Sequence, residues 1–151
     1  MEEFPQQAAP TLSLLAFDFG IRRIGVAWGR RGGAGARPLP TLPARDGIPD
    51  WTQLQQLVAT WQPDALLVGL PYNRDGSEND ILRRARKFGN RMHGRLHLPC
   101  YGIDECLSSV EARASIHSGE SEGSVDSVAA CLILDSWFAA LEQRLQSGSA
   151  T

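Results

Sequence analysis

Residues 13–29 read SLLAFDFGIRRIGVAWG, and this stretch decides the fold. SLLAFDF (13–19) is a short, mostly apolar run closed by Gly20, the pattern of a strand buried inside a sheet. IGVAWG (24–29) is a second strand, near enough to the first to pair with it antiparallel. Inside the first run sits Asp18, where a strand disfavours Asp and an unpaired buried charge is costly. Such a carboxylate needs a cation, a metal or strong donors, unless it serves as a turn residue accepting N–H bonds near Gly20.

Working outward, the Gly/Arg/Pro stretch 29–40 suits a hairpin turn. A third strand is expected around 36–42, confined to an edge by Pro38 and Pro40. Trp51, Leu54, Leu57, Val58 and Trp61 recur at helical spacing, with Asp50 as cap and Pro63 as stop. ALLVGL (65–70) is a continuous apolar strand. Residues 78–93 form an amphipathic helix with Ile81, Ala85, Phe88 and Met92 as its stripe. Ser77 with Asp80 resembles a capping box there, and Gly94 is the expected stop. LPCYGI (98–103) is a further strand, SSVE (108–111) opens a helix, and a last helix starts near Val125. That last helix is expected to bury Val128, Ala129, Leu132, Trp137, Ala140 and Leu141. Strands in a run, followed by alternation with helices, predict one α/β domain with a mixed sheet over 13–145. Residues 1–12 and 146–151 are polar and are expected to be flexible tails.

Two further acids invite attention. Glu105, beside Asp104, follows a strand and precedes a capped helix, a common place for functional groups in α/β proteins. Acids also favour helix N-termini without any function. Asp126 lies in the first turn of the last helix, where the dipole alone favours an acid. However, it shares a face with Ala129, Ala130 and Ile133, and therefore points to the packed side. Phosphodiester cleavage is the chemistry that explains three convergent acids. Hard oxygen ligands suit Mg²⁺ or Mn²⁺, and two such ions can activate a water and stabilise a leaving oxygen.

The chain has 151 residues and a net charge of −2, which looks wrong for a nucleic-acid binder until position is considered. Residues 19–100 hold 13 of the 15 basic side chains against 6 acids. A basic surface beside an acidic pocket, or simply solvated helix faces, would account for that segregation. All but Lys87 are Arg, which favours bidentate phosphate contacts. The loop GLPYNRDGSE (69–78) is ordinary turn chemistry, yet it feeds the Arg-rich helix. Asn73, Arg84 and Lys87 are therefore candidate substrate contacts. Cys100, Cys106 and Cys131 match neither a zinc nor a redox spacing and are read as reduced packing residues. His93, His97 and His117 offer no convincing ligand face. No run is long enough to span a membrane and no secretory signal is visible, so the cytoplasm is the expected compartment.

Taken together, these motifs resemble the YqgF/RuvX family of RNase H-like proteins, described as Holliday junction resolvase-like or as pre-16S rRNA nucleases. The resemblance rests on AFDFGIRRIGVA (16–27), ARPLP (36–40) with DGIPDW (46–51), and WQPDALLVGLPYNRDGSE (61–78). It continues through RARKFGNRMHGR (84–95), DECLSSVEAR (104–113) and VDSVAACLIL (125–134). It implies a mixed five-stranded sheet, its first three strands antiparallel, flanked by helices. It also implies metal-dependent cleavage, with Asp18, Glu105 and Asp126 as catalytic and metal-binding acids and Arg22 and Arg23 as phosphate contacts. Two positions depart from the family. Cys106 replaces the usual Arg after Asp-Glu, and Ser124 replaces a frequent Lys before Val-Asp; both changes remove positive charge.

The expected function is processing of the 5′ end of pre-16S rRNA, with nucleic acid and ribosomal precursor particles as partners, as monomer or homodimer. Resolution of branched DNA is the same chemistry on another substrate, and a resolvase should be a two-fold dimer. A nucleic-acid-binding protein with little catalysis is the competing class, supported by Cys106. A third reading, the phosphate loop of actin-like ATPases, rests on the D-F-G…G-V-A pattern alone; those enzymes use two such domains and this length suits one, so it carries little weight.

Overall fold

The computed structural model describes residues 1–104 and 125–149, the side chains of 125, 126, 148 and 149 excepted. Six strands form one sheet: β1 (Ser13–Asp18), β2 (Arg23–Arg30), β3 (Arg37–Arg45), β4 (Ile48–Pro49), β5 (Ala65–Leu70) and β6 (Cys100–Asp104). Their order is β4-β3-β2-β1-β5-β6. β1, β2, β3 and β4 pair antiparallel in succession, whereas β5 and β6 run parallel to β1. This is the expected mixed sheet with one strand more. The addition is a two-residue strand that folds back on Ala44 and Arg45 through Asp46 and Gly47.

Alternation along β1 divides its side chains between two cores. Leu15 and Phe17 face helices α1 (Trp51–Trp61) and α2 (Asp80–Leu96), together with Leu66, Val68, Leu82 and Phe88. Leu14 and Ala16 face helix α3 (Val125–Ser149), together with Leu67, Ile133, Leu134 and Trp137. The sheet is thus the middle of three layers. Pro38 and Pro40 fit on β3 because its outer edge is open there; β4 covers only Ala44 and Arg45.

Several boundaries differ from the periodicity reading. The N-cap of α2 is Asn79, whose side chain accepts from the Leu82 N–H, so the helix starts two residues later than read. Its buried stripe is Leu82, Ala85, Phe88 and Met92, while Ile81 is exposed. Gly94 lies inside the helix, which ends where His97 turns left-handed at φ 57°. In α3 the fully buried positions include Ala130, Ile133 and Leu134, while Val128, Leu132 and Ala140 are half-buried. The helix expected from Ser108 lies outside the described residues.

The segment ahead of β1 makes defined contacts. The Glu2 carbonyl accepts from Gly102 N–H at 3.0 Å. The Glu3 carbonyl accepts from the Trp137 indole at 2.7 Å, and Phe4 stacks on the same indole. Among the described residues no helix is long and apolar enough to cross a membrane.

Candidate active site

The C-terminal ends of β1, β5 and β6 lie side by side. Phe17 is level with Val68, and Gly69 and Leu70 are level with Ile103 and Asp104. Asp18 therefore closes β1 at the edge where β6 delivers Asp104, with one strand between them. Continuing the row of Leu14 and Ala16, Asp18 belongs to the α3 face, and it is half-buried. Asp18 and Asp104 both have interaction partners within the fold. Glu105 is the next residue in the chain after Asp104 and lies outside the described residues.

The start of α3 comes to the same place. Asp18 pairs with Gly25, and Phe17 with Val26. The Val26 N–H points to Ser127 Oγ at 3.4 Å, and Ser127 Oγ donates to the Leu39 carbonyl at 2.7 Å. The first turn of α3 is thereby tied to β2 and β3 one residue from the Asp18–Gly25 pair. Position 126 precedes Ser127 and lies one helical turn before Ala129 and Ala130, which are buried. Asp18 and the backbone of residue 126 thus come to one edge, at which β6 also ends just before Glu105. The donors these positions offer are all carboxylate oxygens, a hard set that fits Mg²⁺ or Mn²⁺ and not a thiophilic ion. Among the described residues no three His, Cys, Asp or Glu side chains are grouped as a metal site; the side chains of Glu105 and Asp126 lie outside that set.

Arg22 and Arg23 sit at the β1–β2 turn, exposed and next to the same edge. The turn is held rigidly. Its Arg22 and Ile21 carbonyls accept from Ala44 and Gly47 N–H groups, each at 2.8 Å. Gly47, at φ 78°, lies against the Phe19 ring so closely that a Cβ would sit 2.8 Å from Cζ.

The other candidates divide by their partners. Asn73 organises its own loop: its amide donates to Ser77 Oγ at 3.0 Å and its oxygen accepts from Asn79 at 2.9 Å. Arg84 is engaged by Asp46 at 3.0 Å and Asp80 at 3.1 Å, which hold its guanidinium more firmly charged, Asp46 foremost. Arg86 pairs with Glu78 and donates to Tyr72. The Lys87 side chain is exposed and makes no ion pair or hydrogen bond with another described residue. Arg91, which sequence reading left unmarked, shares that condition and lines one cleft with Lys87, Trp51, Phe19 and Asp46. Its signal was the spacing from Lys87, one turn along the same helix face. The three cysteines were read as reduced; Cys100 and Cys131 carry free thiols, and Cys106 lies outside the described residues.

Comparison with known proteins follows the same lines. The model of the RuvX family, described as Holliday junction resolvase, matches residues 12–140. A Marinobacter nauticus protein named "putative pre-16S rRNA nuclease" is 53% identical over 129 residues, 82% of this chain and 90% of its own. One of the same name from Salmonella arizonae is 50% identical over 131 residues, covering 83% and 95%. Among solved structures, Thermus thermophilus RuvC shares the fold, with a TM-score of 0.53 at 15% identity over 87% of this chain and 97% of that one. RuvC in complex with a Holliday junction substrate gives the same TM-score over 86% and 96%. With the family model spanning most of its length and relatives half identical over four-fifths of it, this chain belongs to the RuvX family.

Proposed function

We propose that this protein is a nuclease that hydrolyses phosphodiester bonds and trims the 5′ end of precursor 16S rRNA in the cytoplasm, on free RNA or on ribosomal precursor particles. The observation that carries the reading is the meeting of β1, β6 and the start of α3 at one edge of the sheet. That edge brings Asp18 to the level where Asp104 ends β6 and Ser127 anchors α3. The names of the relatives supply the substrate.

Asp18, Glu105 and Asp126 would hold Mg²⁺ or Mn²⁺. The metal, when bound, supplies Lewis-acid stabilisation of the charge that builds on phosphoryl and leaving oxygens. The protein's own part is positioning. Asp18 ends a strand paired on both sides and is itself paired with Gly25, which fixes the backbone that carries its carboxylate. Arg22 and Arg23 meet the phosphates flanking the cut, with Lys87 further along the strand and Arg84 and Asn73 shaping that approach. The test is cleavage of labelled RNA spanning the precursor 5′ junction, with Mn²⁺, Mg²⁺ or chelator. Wild type should cut only with metal and Asp18→Asn should not; equal cutting by the variant defeats the reading.

The description of the family model favours a second substrate, the four-way DNA junction. A resolvase makes paired cuts as a two-fold dimer. A strict monomer that cuts single RNA strands would leave the RNA reading alone.

A further inference from the structure

On the sheet face opposite Asp18, the same edge opens into a cleft with an aromatic floor. Phe19 and Phe88 lie with ring centroids 5.6 Å apart, and Trp51 stacks on Phe88 at 6.3 Å. Ile48 forms a lip and is 47% exposed. The opposite wall is the exposed side of α2, where Lys87, Arg91 and Arg95 follow at intervals of four residues. That spacing sets a row of cations about 6 Å apart along the helix. The side chains of Lys87 and Arg91 have no ion pair or hydrogen bond with other described residues, and the Arg95 guanidinium lies 4.4 Å above the Trp51 ring. Among the described residues lining the cleft one acid, Asp46, stands on the rim, and Arg84 already engages it.

A half-buried indole, Trp51, beside two uncommitted cations, Lys87 and Arg91, is what single-stranded nucleic acid requires, since bases stack while phosphates pair. We propose that this cleft is a second subsite that binds an unpaired RNA segment flanking the bond cut at Asp18. Phosphates run along Lys87 and Arg91, and a base takes the place over Trp51 that the Arg95 guanidinium occupies. The proposal rests on the nuclease reading and adds the strand class. Asp18 belongs to the α3 face, whereas Phe19 and Trp51 belong to the α1–α2 face. A strand reaching both must bend over the β1–β2 turn, past Arg22 and Arg23. An unpaired strand makes that bend readily; a stiff duplex does not, and its bases offer no open face to Trp51.

The test uses the full chain carrying Asp18→Asn, so that bound RNA stays intact. Affinities are measured by fluorescence anisotropy for a short unstructured oligoribonucleotide and for a blunt RNA duplex of equal length. The single strand should bind more tightly than the duplex. K87E/R91E should weaken it by about tenfold or more and flatten its salt dependence. Trp51→Leu should weaken it by about tenfold with the salt slope unchanged, as loss of a stacked base does, and Trp51→Phe should retain most binding. Equal affinity for duplex and single strand, or full affinity in both K87E/R91E and Trp51→Leu, overturns the proposal. If Trp51→Leu does not fold, photo-cross-linking of thiouridine-substituted RNA decides instead. Adducts at Trp51 or on residues 87–95 support the subsite, and adducts confined elsewhere overturn it. Failure of the wild type to cut RNA would defeat the nuclease reading alone, because these binding results do not depend on cleavage.

Discussion

The Ser127 hydroxyl donates to the Leu39 carbonyl at 2.7 Å, and both residues are buried. This bond joins the first turn of α3 to β3, and the contact of Ser127 with the Val26 N–H extends it to β2. Ser127→Ala leaves a buried carbonyl without that donor, and the expected cost is about 1–3 kcal/mol. Because residue 126 is its neighbour, the same change should lower the cleavage rate several-fold with KM little altered. Urea titration and steady-state kinetics check both. Unchanged stability would show that the bond does not hold the helix.

Gly47 does for the β1–β2 turn what Ser127 does for α3. At φ 78° any side chain is strained there, and a Cβ would press on the Phe19 ring at 2.8 Å. Gly47→Ala should cost at least the roughly 1–2 kcal/mol of a left-handed non-glycine residue. Phe19 follows Asp18, so activity should fall as well. Thermal melting and the cleavage rate of the variant are the measurements.

Asp46 restrains a cation that would otherwise serve the cleft. Asp46→Asn removes one of the two carboxylates that hold Arg84 and the acid on the rim. RNA affinity should rise a few-fold, with a steeper salt dependence as one more cation becomes available to phosphate. Weaker binding would mean that Asp46 positions Arg84 for substrate.

The strands were legible in the sequence because apolar runs such as SLLAFDF and ALLVGL have little other use, and Asp18 stood out against that background. The antiparallel hairpin followed from the short gap between 13–19 and 24–29. What failed to show was decided by tertiary contact. Gly94 read as a helix stop, yet an interior glycine costs only about 0.5–1 kcal/mol. Burial of Met92 and partial burial of Leu96 carry the helix on to His97. Ile81 and Leu82 are equally apolar; the cap at Asn79 chose between them by setting the helix phase. β4 is too short for any periodicity to reveal. At the site, Asp18 stood out as an anomaly of pattern and Arg22 and Arg23 were marked only by the family resemblance, whereas the commitment of Arg84 to Asp46 joins residues 38 apart in the chain.

The half-buried Cys100 thiol lies beside Gly89, and desolvation pushes its pKa from 9.0 up to about 12. Little thiolate exists near pH 8, so alkylation of the native protein should spare Cys100 until the chain unfolds. The sign for stability follows. Between about 9 and 12 the folded state holds the proton and the unfolded state releases it, so stability falls as pH rises through that window. Mass spectrometry of alkylated protein and melting curves across that range check both statements.

The central claim is that Asp18, Glu105 and Asp126 form one divalent-metal site at the sheet edge. Its most direct test is Mn²⁺ binding, followed by the loss of the free-ion paramagnetic resonance signal, in wild type and in Asp18→Asn, Glu105→Gln and Asp126→Asn. The account predicts that each substitution weakens Mn²⁺ binding by about tenfold or more while the fold persists. Binding as tight as wild type in all three variants would contradict it.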